Sequence, residues 1–242
     1  MNSTEVEYNK SFGELISMRF LDSSKYTDFI LDSLNLAQKQ ESNLDEWGLT
    51  LDGMSGFLYR HFINNLSHKL EDKMNYLEIG SWKGSTAVSC GFGNNDIDMC
   101  LIDNWSEFGG PEDEFRENIN KMRLSGDSEL PENQVRIHSE DFRTVKLPDD
   151  IKYNVYLFDG PHEFEDQRDG LELMLPFLED EFIFIVDDWN WDRVKQGTTA
   201  AINNSKLNVK FFTTIETNQC PDSNGGSRSA WHNGYFIGVI SK

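Results

Sequence analysis

Four polar residues follow apolar segments of this sequence and could carry out acid–base chemistry at a metal ion. Asp159 comes directly after one apolar run, and Asp187 and Asp188 come directly after another. Carboxylates without a thiol suit a hard cation, so Mg²⁺ is expected first, with Ca²⁺ and Mn²⁺ as alternatives. His162 lies three residues beyond Asp159. An imidazole with an ordinary pKa near ~6.5 can remove a proton at neutral pH, so His162 is the candidate general base.

A second group of residues has the composition of a cofactor-binding loop. In the segment 76–86 an apolar stretch leads through Glu78 into a loop containing Gly80 and Gly84, and then into a helix start. This glycine spacing differs from the Gly-x-Gly-x-x-Gly pattern of dinucleotide binding. A carboxylate just before the first glycine would repel a pyrophosphate, but it suits a cationic cofactor with an amino acid end. The loop therefore favours S-adenosylmethionine over NAD.

Three further residues could complete an adenosine site. Asp103 follows the second apolar run of this half of the chain and could accept hydrogen bonds from both ribose hydroxyls. Asp141 and Phe142 follow the third run and could meet the edge and the face of an adenine.

Simpler explanations stay open for several of these residues. Asp187 and Asp188 could cap the next helix, and His162 could be an ordinary surface histidine. Trp189 and Trp191 could line an acceptor pocket or merely pack. The polar loop 216–233, which contains His232, could contact substrate or be an ordinary surface loop.

The elements that would position these residues alternate along the chain from residue 75 onward. Apolar runs predict strands, and 3.6-residue periodicity predicts helices. The predicted strands are 76–79, 97–102, 135–139, 153–158, 182–186, 209–214 and 235–240, and the predicted helices are 85–92, 112–124, 164–178 and 193–205. This alternation predicts an α/β fold, a Rossmann-like doubly wound sheet of seven strands with an antiparallel C-terminal edge strand. Ligands bind such sheets at the carboxyl ends of the strands, where the acids above are placed.

The first part of the chain shows a different pattern. Residues 1–72 are predicted to form helices without strands, one of which has Ser55 as its N-cap. The expected organisation is an N-terminal helical cap over residues 1–72 and a cofactor-binding domain over residues 73–242.

Over residues 73–242 the sequence resembles the class I S-adenosylmethionine-dependent methyltransferases. The segment 77–86, LEIGSWKGST, is similar to their cofactor motif. The resemblance implies that the loop binds the methionine portion of the cofactor, that Asp103 binds the ribose and that Asp141 and Phe142 bind the adenine. The loop residues implied are Glu78, Gly80, Ser81, Gly84, Ser85 and Thr86.

Within that superfamily, the sequence DGPH at 159–162 together with VDD at 186–188 resembles the metal-dependent O-methyltransferases. The catechol-methylating type has a lysine where this chain has His162. The sugar-methylating, macrocin O-methyltransferase-like type has a histidine there and is more similar. The segments 53–56, 103–111 and 187–191 also resemble a poorly characterised bacterial and phage subgroup. The resemblance implies methylation of a hydroxyl on a small molecule, a diol or a sugar, with Mg²⁺ as the expected metal.

The composition argues against several other classes of function. The chain has 242 residues and a formal net charge of −20, which argues against nucleic acid as a partner. No apolar run approaches the ~20 residues of a membrane span, and the acidic N-terminus does not resemble a signal peptide. The three cysteines do not suggest a disulfide framework, so a cytoplasmic location is expected. The sequence leaves open whether the protein forms a homo-oligomer.

Two other functions compete with methyl transfer. The carboxylates alone would also suit a metal-dependent hydrolase or phosphoryl-transfer enzyme. A non-catalytic binding protein on the same fold is the second alternative, although the complete loop and acid set argue against it. NAD-dependent oxidoreduction is the weakest option, because the glycine spacing is wrong.

Overall fold

The computed structural model describes residues 4–10, 14–125, 129–217 and 230–242. Within these residues, nine strands and seven α-helices alternate along most of the chain. The strands are β1 (Thr4–Lys10), β2 (Glu14–Phe20), β3 (Met74–Ile79), β4 (Ile97–Ile102), β5 (Val135–His138), β6 (Tyr153–Phe158), β7 (Leu178–Val186), β8 (Asn208–Thr217) and β9 (Tyr235–Ser241). The helices are α1 (Lys25–Gln38), α2 (Glu46–Thr50), α3 (Phe57–Lys69), α4 (Ser85–Gly91), α5 (Glu112–Arg123), α6 (Phe164–Met174) and α7 (Asp192–Asn204). Short 3₁₀ turns cover Glu132–Gln134 and Leu175–Phe177.

The strands form a single sheet in the order β1-β2-β8-β9-β7-β6-β3-β4-β5. The five strands β3, β4, β5, β6 and β7 pair with one another in parallel. Strand β9 is antiparallel to both β7 and β8. Ile79 pairs with both Ile102 and Phe158, and Phe158 pairs with Val186. The residues that follow these strand ends therefore lie side by side along one edge of the sheet.

The doubly wound α/β fold predicted from the sequence is confirmed, and all seven predicted strands are present. The expectation of seven strands with an antiparallel strand at the C-terminal edge is wrong in two details. The sheet has nine strands, and β9 lies inside it rather than at its edge. Six of the seven residues of β9 are buried, which is the burial pattern of an interior strand.

The expectation that residues 1–72 are purely helical is also wrong. β1 and β2 extend the sheet, because β2 pairs with β8 along its whole length. Helix α3 begins at Phe57 with Gly56 as its N-cap, so Ser55 is not the N-cap. The division of the chain at residue 72 stays a prediction.

Both faces of the central strands are covered by apolar side chains. Tyr76, Leu101 and Val155 belong to a core beneath α1, α3 and α5. Leu77 and Tyr156 point to the other face, where the core includes residues of α6 and α7. Burial on both faces explains why these strands have uninterrupted apolar sequences. None of the described helices is long and apolar enough to cross a membrane.

Candidate active site

One cavity of about 470 Å³ opens at the carboxyl ends of β3, β4, β6 and β7. Most of the predicted site residues line it: Gly80, Ser81, Ser85, Thr86, Asp103, Asp141, Phe142, Asp159, His162, Asp187 and Asp188. Glu78 and Gly84 lie behind this lining. The sheet therefore brings the predicted cofactor and metal residues to one place, although it arranges some of them differently from the expectation.

The two loop glycines are required by close contacts within the chain. Gly80 has φ +90°, and a Cβ there would lie 1.9 Å from the carbonyl oxygen of Asp159. Gly84 has φ +83° directly before α4, and a Cβ there would lie 3.0 Å from the Phe115 ring. Only glycine adopts such backbone angles without strain. The loop's shape is thus explained by its own packing as well as by any cofactor beside it.

Two buried polar atoms at this loop lack a partner among the described residues. Glu78 is fully buried and accepts a 2.6 Å hydrogen bond from Tyr76 Oη at one oxygen, while its other oxygen has none. The hydroxyl of Ser81, on the cavity lining, is buried and likewise unpartnered. Buried polar atoms cost free energy unless a partner satisfies them. This pair of atoms therefore fits a ligand with a polar, positively charged end.

Burial raises the pKa of Glu78 to about 7, against the weaker opposing effects of the Tyr76 hydrogen bond and of the nearby Ser81 hydroxyl. Between the ordinary glutamate pKa of 4.5 and about 7, Glu78 keeps its proton in the folded protein but loses it in the unfolded chain. Stability should therefore fall as pH rises from about 5 to 8, by about 3 kcal/mol for this group.

Urea denaturation of wild type and Glu78→Gln at pH 5 and pH 8 measures that loss. The wild-type unfolding free energy should drop more than that of the glutamine variant, and Glu117→Gln on exposed α5 should match wild type. Identical pH profiles for wild type and Glu78→Gln would show that Glu78 ionises normally.

Asp103 connects two loops of the site. Its carboxylate oxygens accept hydrogen bonds from the backbone N–H groups of Trp82 and Trp105, each at 2.7 Å. Trp105 Nε1 also donates to the Trp82 carbonyl at 2.9 Å. Both tryptophans have positive φ, +43° and +46°, which is uncommon for large residues. Asp103 therefore stabilises these two turns in addition to facing the cavity, where a ribose is predicted.

Asp141 and Phe142 lie on the cavity wall with partners of their own. Asp141 accepts a 2.8 Å hydrogen bond from the backbone N–H of Arg143. Phe142 is almost buried and packs edge-to-face on Phe158, and the Arg143 guanidinium lies 4.4 Å from its ring centroid. Much of the Phe142 ring thus belongs to the core, and Arg143 covers part of it.

Asp159, His162 and Asp188 form the cluster that could hold a metal ion. One potential ligand atom from each lies within 4.8 Å of the others. His162 Nε2 is 2.6 Å from Asp188 Oδ2. Burial and then the nearby charges of Asp187 and Asp188 raise the pKa of Asp159 well above its ordinary value. A cation would relieve that repulsion, so the donor set fits a divalent ion.

Asp188 stays ionised because its partners outweigh its burial. Burial alone would raise the pKa of this carboxyl, but contacts with His162 and Asn233 lower it. Asn233 Nδ2 donates to Asp188 Oδ1 at 2.6 Å. Asp188 has φ +56°, a left-handed conformation that aspartate tolerates better than most residues.

Asp187 does not point into this cluster. Its oxygens accept hydrogen bonds from the Asp188 backbone N–H at 2.7 Å and from Tyr235 Oη at 3.2 Å. The left-handed turn at Asp188 separates the two neighbouring carboxylates. The structure therefore groups His162 with two aspartates, and a ligand role for Asp187 stays a prediction.

Asn190 was missed in the sequence. The Asn190 side chain donates to the Thr217 carbonyl and accepts from the Thr217 N–H, each at 3.0 Å. Its backbone N–H donates to the Asn233 carbonyl at 2.9 Å. Asn190 thus joins the end of β8 to the residues before β9, which bring Asn233 to Asp188. The sequence feature that could have indicated this role is the polar Asn190 between two tryptophans, Trp189 and Trp191.

Arg60 of α3 was also missed, and it positions a further part of the cavity wall. Its buried guanidinium donates to Ser55 Oγ at 3.0 Å and to the Leu51 carbonyl at 2.7 Å. Ser55 Oγ is 2.9 Å from Ser85 Oγ on the cofactor loop. The segment 51–56 is thereby attached to that loop, and Met54 and Ser55 line the cavity.

Replacing Arg60 with methionine should destabilise the fold by about 3 kcal/mol, because several buried carbonyls lose their donor. The same change should weaken ligand binding at the loop, since Ser55 is no longer held against Ser85. Denaturation and calorimetry measure the two effects. Arg116→Met on exposed α5 is the matched control and should change neither. If the Arg60→Met variant were as stable as the wild type, the proposed positioning role of Arg60 would be contradicted.

The strand order is that of a Rossmann-like methyltransferase fold, and the cavity lies at the carboxyl ends of the strands, where such sheets bind ligands. Residues 77–189 match the model of a family described as a methyltransferase domain. The resemblance predicted from the sequence is thereby confirmed. The matched segment contains every predicted site residue.

Solved structures with the same fold include three O-methyltransferases by description. A protein from Staphylococcus aureus, proposed to be a caffeoyl-CoA O-methyltransferase, is 17% identical with a TM-score of 0.57, covering 88% of this chain and 100% of that one. TomG from Streptomyces achromogenes, involved in tomaymycin synthesis and solved with S-adenosylmethionine, is 12% identical with a TM-score of 0.54, covering 92% of each chain. An O-methyltransferase from Bacillus cereus, solved with S-adenosylhomocysteine, is 13% identical with a TM-score of 0.52, covering 89% of this chain and 91% of that one.

At these identities the likeness shows the fold alone, because one fold hosts many activities. No curated protein matches the sequence. The substrate must therefore be argued from the site.

Proposed function

We propose that this protein is an S-adenosylmethionine-dependent O-methyltransferase that acts on a hydroxyl of a small molecule, a diol or a sugar, with a divalent metal and with His162 as general base. The observation that carries the proposal is the contact of His162 with Asp188, 2.6 Å apart, in the cavity that also contains the cofactor loop. A candidate proton acceptor and a candidate methyl donor site thus share one cavity.

The cofactor residues of the proposal are those of the loop and of the adjacent strand ends. S-adenosylmethionine supplies an electrophilic methyl group on a sulfonium. The unpartnered oxygens of Glu78 and Ser81 would satisfy its amino acid end. Asp103 would bind the ribose, and Asp141 with Phe142 would meet the adenine. The carboxylates of Glu78, Asp103 and Asp141 are held in place by the hydrogen bonds described above.

The metal residues of the proposal are Asp159 and Asp188, with Asp187 as the predicted third ligand. A divalent ion, Mg²⁺ first, supplies Lewis acidity that makes a hydroxyl easier to deprotonate. The buried, mutually repelling carboxylates support a cation at this place. An imidazole nitrogen cannot both bind a cation and take a proton, so the proposal gives the ion to the carboxylates and the proton to His162.

His162 is oriented for proton transfer by two neighbours. Asp188 contacts Nε2, and Trp191 packs edge-on to the imidazole with 4.6 Å between ring centroids. A carboxylate beside the ring stabilises the imidazolium that forms when the hydroxyl proton is taken. About a quarter of the side chain, 27%, stays exposed, so the ring can reach an acceptor.

A small-molecule acceptor, rather than nucleic acid, is part of the proposal. The net charge of −20 and the carboxylates of the cavity support it, because they would repel a phosphate backbone.

Calorimetry with S-adenosylmethionine, followed by methyl transfer from labelled cofactor to a panel of diols and sugars, tests the proposal. Micromolar binding and transfer that stops in excess chelator are the expected results. Absence of cofactor binding would instead favour a metal-dependent hydrolase or phosphoryl-transfer enzyme. Binding without transfer to any acceptor would favour a non-catalytic binding protein.

A further inference from the structure

We infer that the acceptor carries a positively charged amine beside its hydroxyl, together with an apolar part, and that it bears no phosphate or carboxylate. This inference rests on the proposed function and names the substrate class of the same cavity. Three observations support it separately. The cavity wall is rich in carboxylates, its arginine already has acidic partners, and two exposed apolar side chains lie at the cavity.

Carboxylates dominate the charge on the cavity wall. Seven of the lining residues are acidic: Asp103, Glu107, Glu140, Asp141, Asp159, Asp187 and Asp188. Two of these acidic residues, Glu107 and Glu140, belong neither to the metal cluster nor to the proposed cofactor contacts. The acceptor therefore enters a field that attracts cations and repels anions.

Arg143 is the single lysine or arginine among the described residues that line the cavity, and it already has acidic partners. Its guanidinium forms an ion pair with Asp166, and it lies 3.7 Å from Asp169 and 3.8 Å from Asp141. Recognition of a phosphate or carboxylate usually employs an arginine or lysine that can bind it directly. An acyl-CoA thioester or a phosphorylated sugar would find no such residue on this part of the wall.

The part of the cavity nearest His162 is polar and can accept hydrogen bonds. Asp188 lies there with Asn233 and His232, and Trp191 lies beside the imidazole. The side-chain oxygens in this part of the wall would repel an anionic group on the acceptor.

Two exposed apolar side chains belong to the same cavity. Met54 is 41% exposed and Phe108 is 63% exposed, although both are large and apolar. Phe108 packs edge-on to Trp82, and its carbonyl accepts a 3.2 Å hydrogen bond from Trp82 Nε1. These side chains would contact an apolar body attached to the reacting hydroxyl. An amphipathic cation could contact both the carboxylates and these two apolar side chains.

Three catechols that differ in charge test the inference: 3,4-dihydroxybenzylamine, 4-methylcatechol and 3,4-dihydroxybenzoate. The value of kcat/KM should be at least about tenfold higher for the amine than for the carboxylate, with the neutral compound between them. Salt should reduce the ratio, because exposed charges are screened.

Charge variants of the cavity wall provide a second readout. The double variant Glu107→Gln/Glu140→Gln should lower the amine-to-carboxylate ratio and leave turnover of 4-methylcatechol unchanged. The control Asp113→Asn/Glu117→Gln makes the same change in net charge on exposed α5, outside the cavity wall, and should leave the ratio unchanged. A ratio near one, or a preference for the carboxylate, would overturn the inference.

Binding assays separate this inference from the proposed function. With S-adenosylhomocysteine present, the amine should bind more tightly than the carboxylate even if neither is methylated. If the cofactor product binds and none of the three catechols does, the inference is wrong while the cofactor assignment stands. If the cofactor product does not bind at all, the proposed function fails first.

Discussion

The variant Asp188→Asn is expected to lower kcat by about 10³-fold, because it removes the ionised carboxylate that contacts His162 and the proposed metal. Asparagine has nearly the same shape and tolerates the left-handed backbone found at position 188. The change therefore tests charge without adding backbone strain. Metal titration of activity and calorimetry with Mg²⁺ measure the effect, and thermal denaturation shows that the fold is intact.

Asp187→Asn is the matched comparison for this result. In the structure Asp187 accepts hydrogen bonds from Tyr235 and the Asp188 backbone, outside the metal cluster. Its amide variant should therefore lose less Mg²⁺ affinity than Asp188→Asn. Equal loss in the two variants would show that the trio predicted from the sequence binds the ion. Wild-type turnover by Asp188→Asn in excess chelator would remove the metal from the reaction.

The variant His162→Gln should lower kcat by about 10²- to 10⁴-fold while changing S-adenosylmethionine affinity little. Glutamine can still hydrogen-bond to Asp188, but it cannot take a proton. His68→Gln, on the exposed end of α3 and outside the cavity wall, is the control and should behave as wild type.

Two results would contradict the base assignment. Unchanged turnover near neutral pH would show that another group takes the proton. A large loss of Mg²⁺ affinity in His162→Gln would show that the imidazole is a metal ligand, since His162 belongs to the cluster of potential ligands. Calorimetry with the ion alone distinguishes these cases.

Much of the site could be predicted because parallel strands align their carboxyl ends. Asp103, Asp159 and Asp187 each follow a buried strand, and the register of β3 with β4 and β6 places those ends in a row. Apolar runs followed by an acid were therefore a sufficient signal for the location of the cavity.

What could not be predicted depends on local backbone angles and on distant pairing. The separation of Asp187 from Asp188 follows from φ +56° at Asp188, which no sequence pattern shows. The role of Arg60 depends on carbonyls at the end of α2 and in the loop between α2 and α3. The pairing of β2 with β8 joins residues almost 200 positions apart, and charged residues in β2 obscure its alternation.

The interior position of β9 has a consequence for how this chain folds. β9 follows β8 in the sequence but pairs with β7 on one side and β8 on the other. During synthesis, β8 and the strands attached to it cannot join the parallel strands until residues 235–241 have emerged. Long-range pairing of this kind is slow and leaves strand edges exposed to aggregation. Chains truncated before β9 should therefore depend on chaperones, and they should be more sensitive to proteases than chains that contain β9.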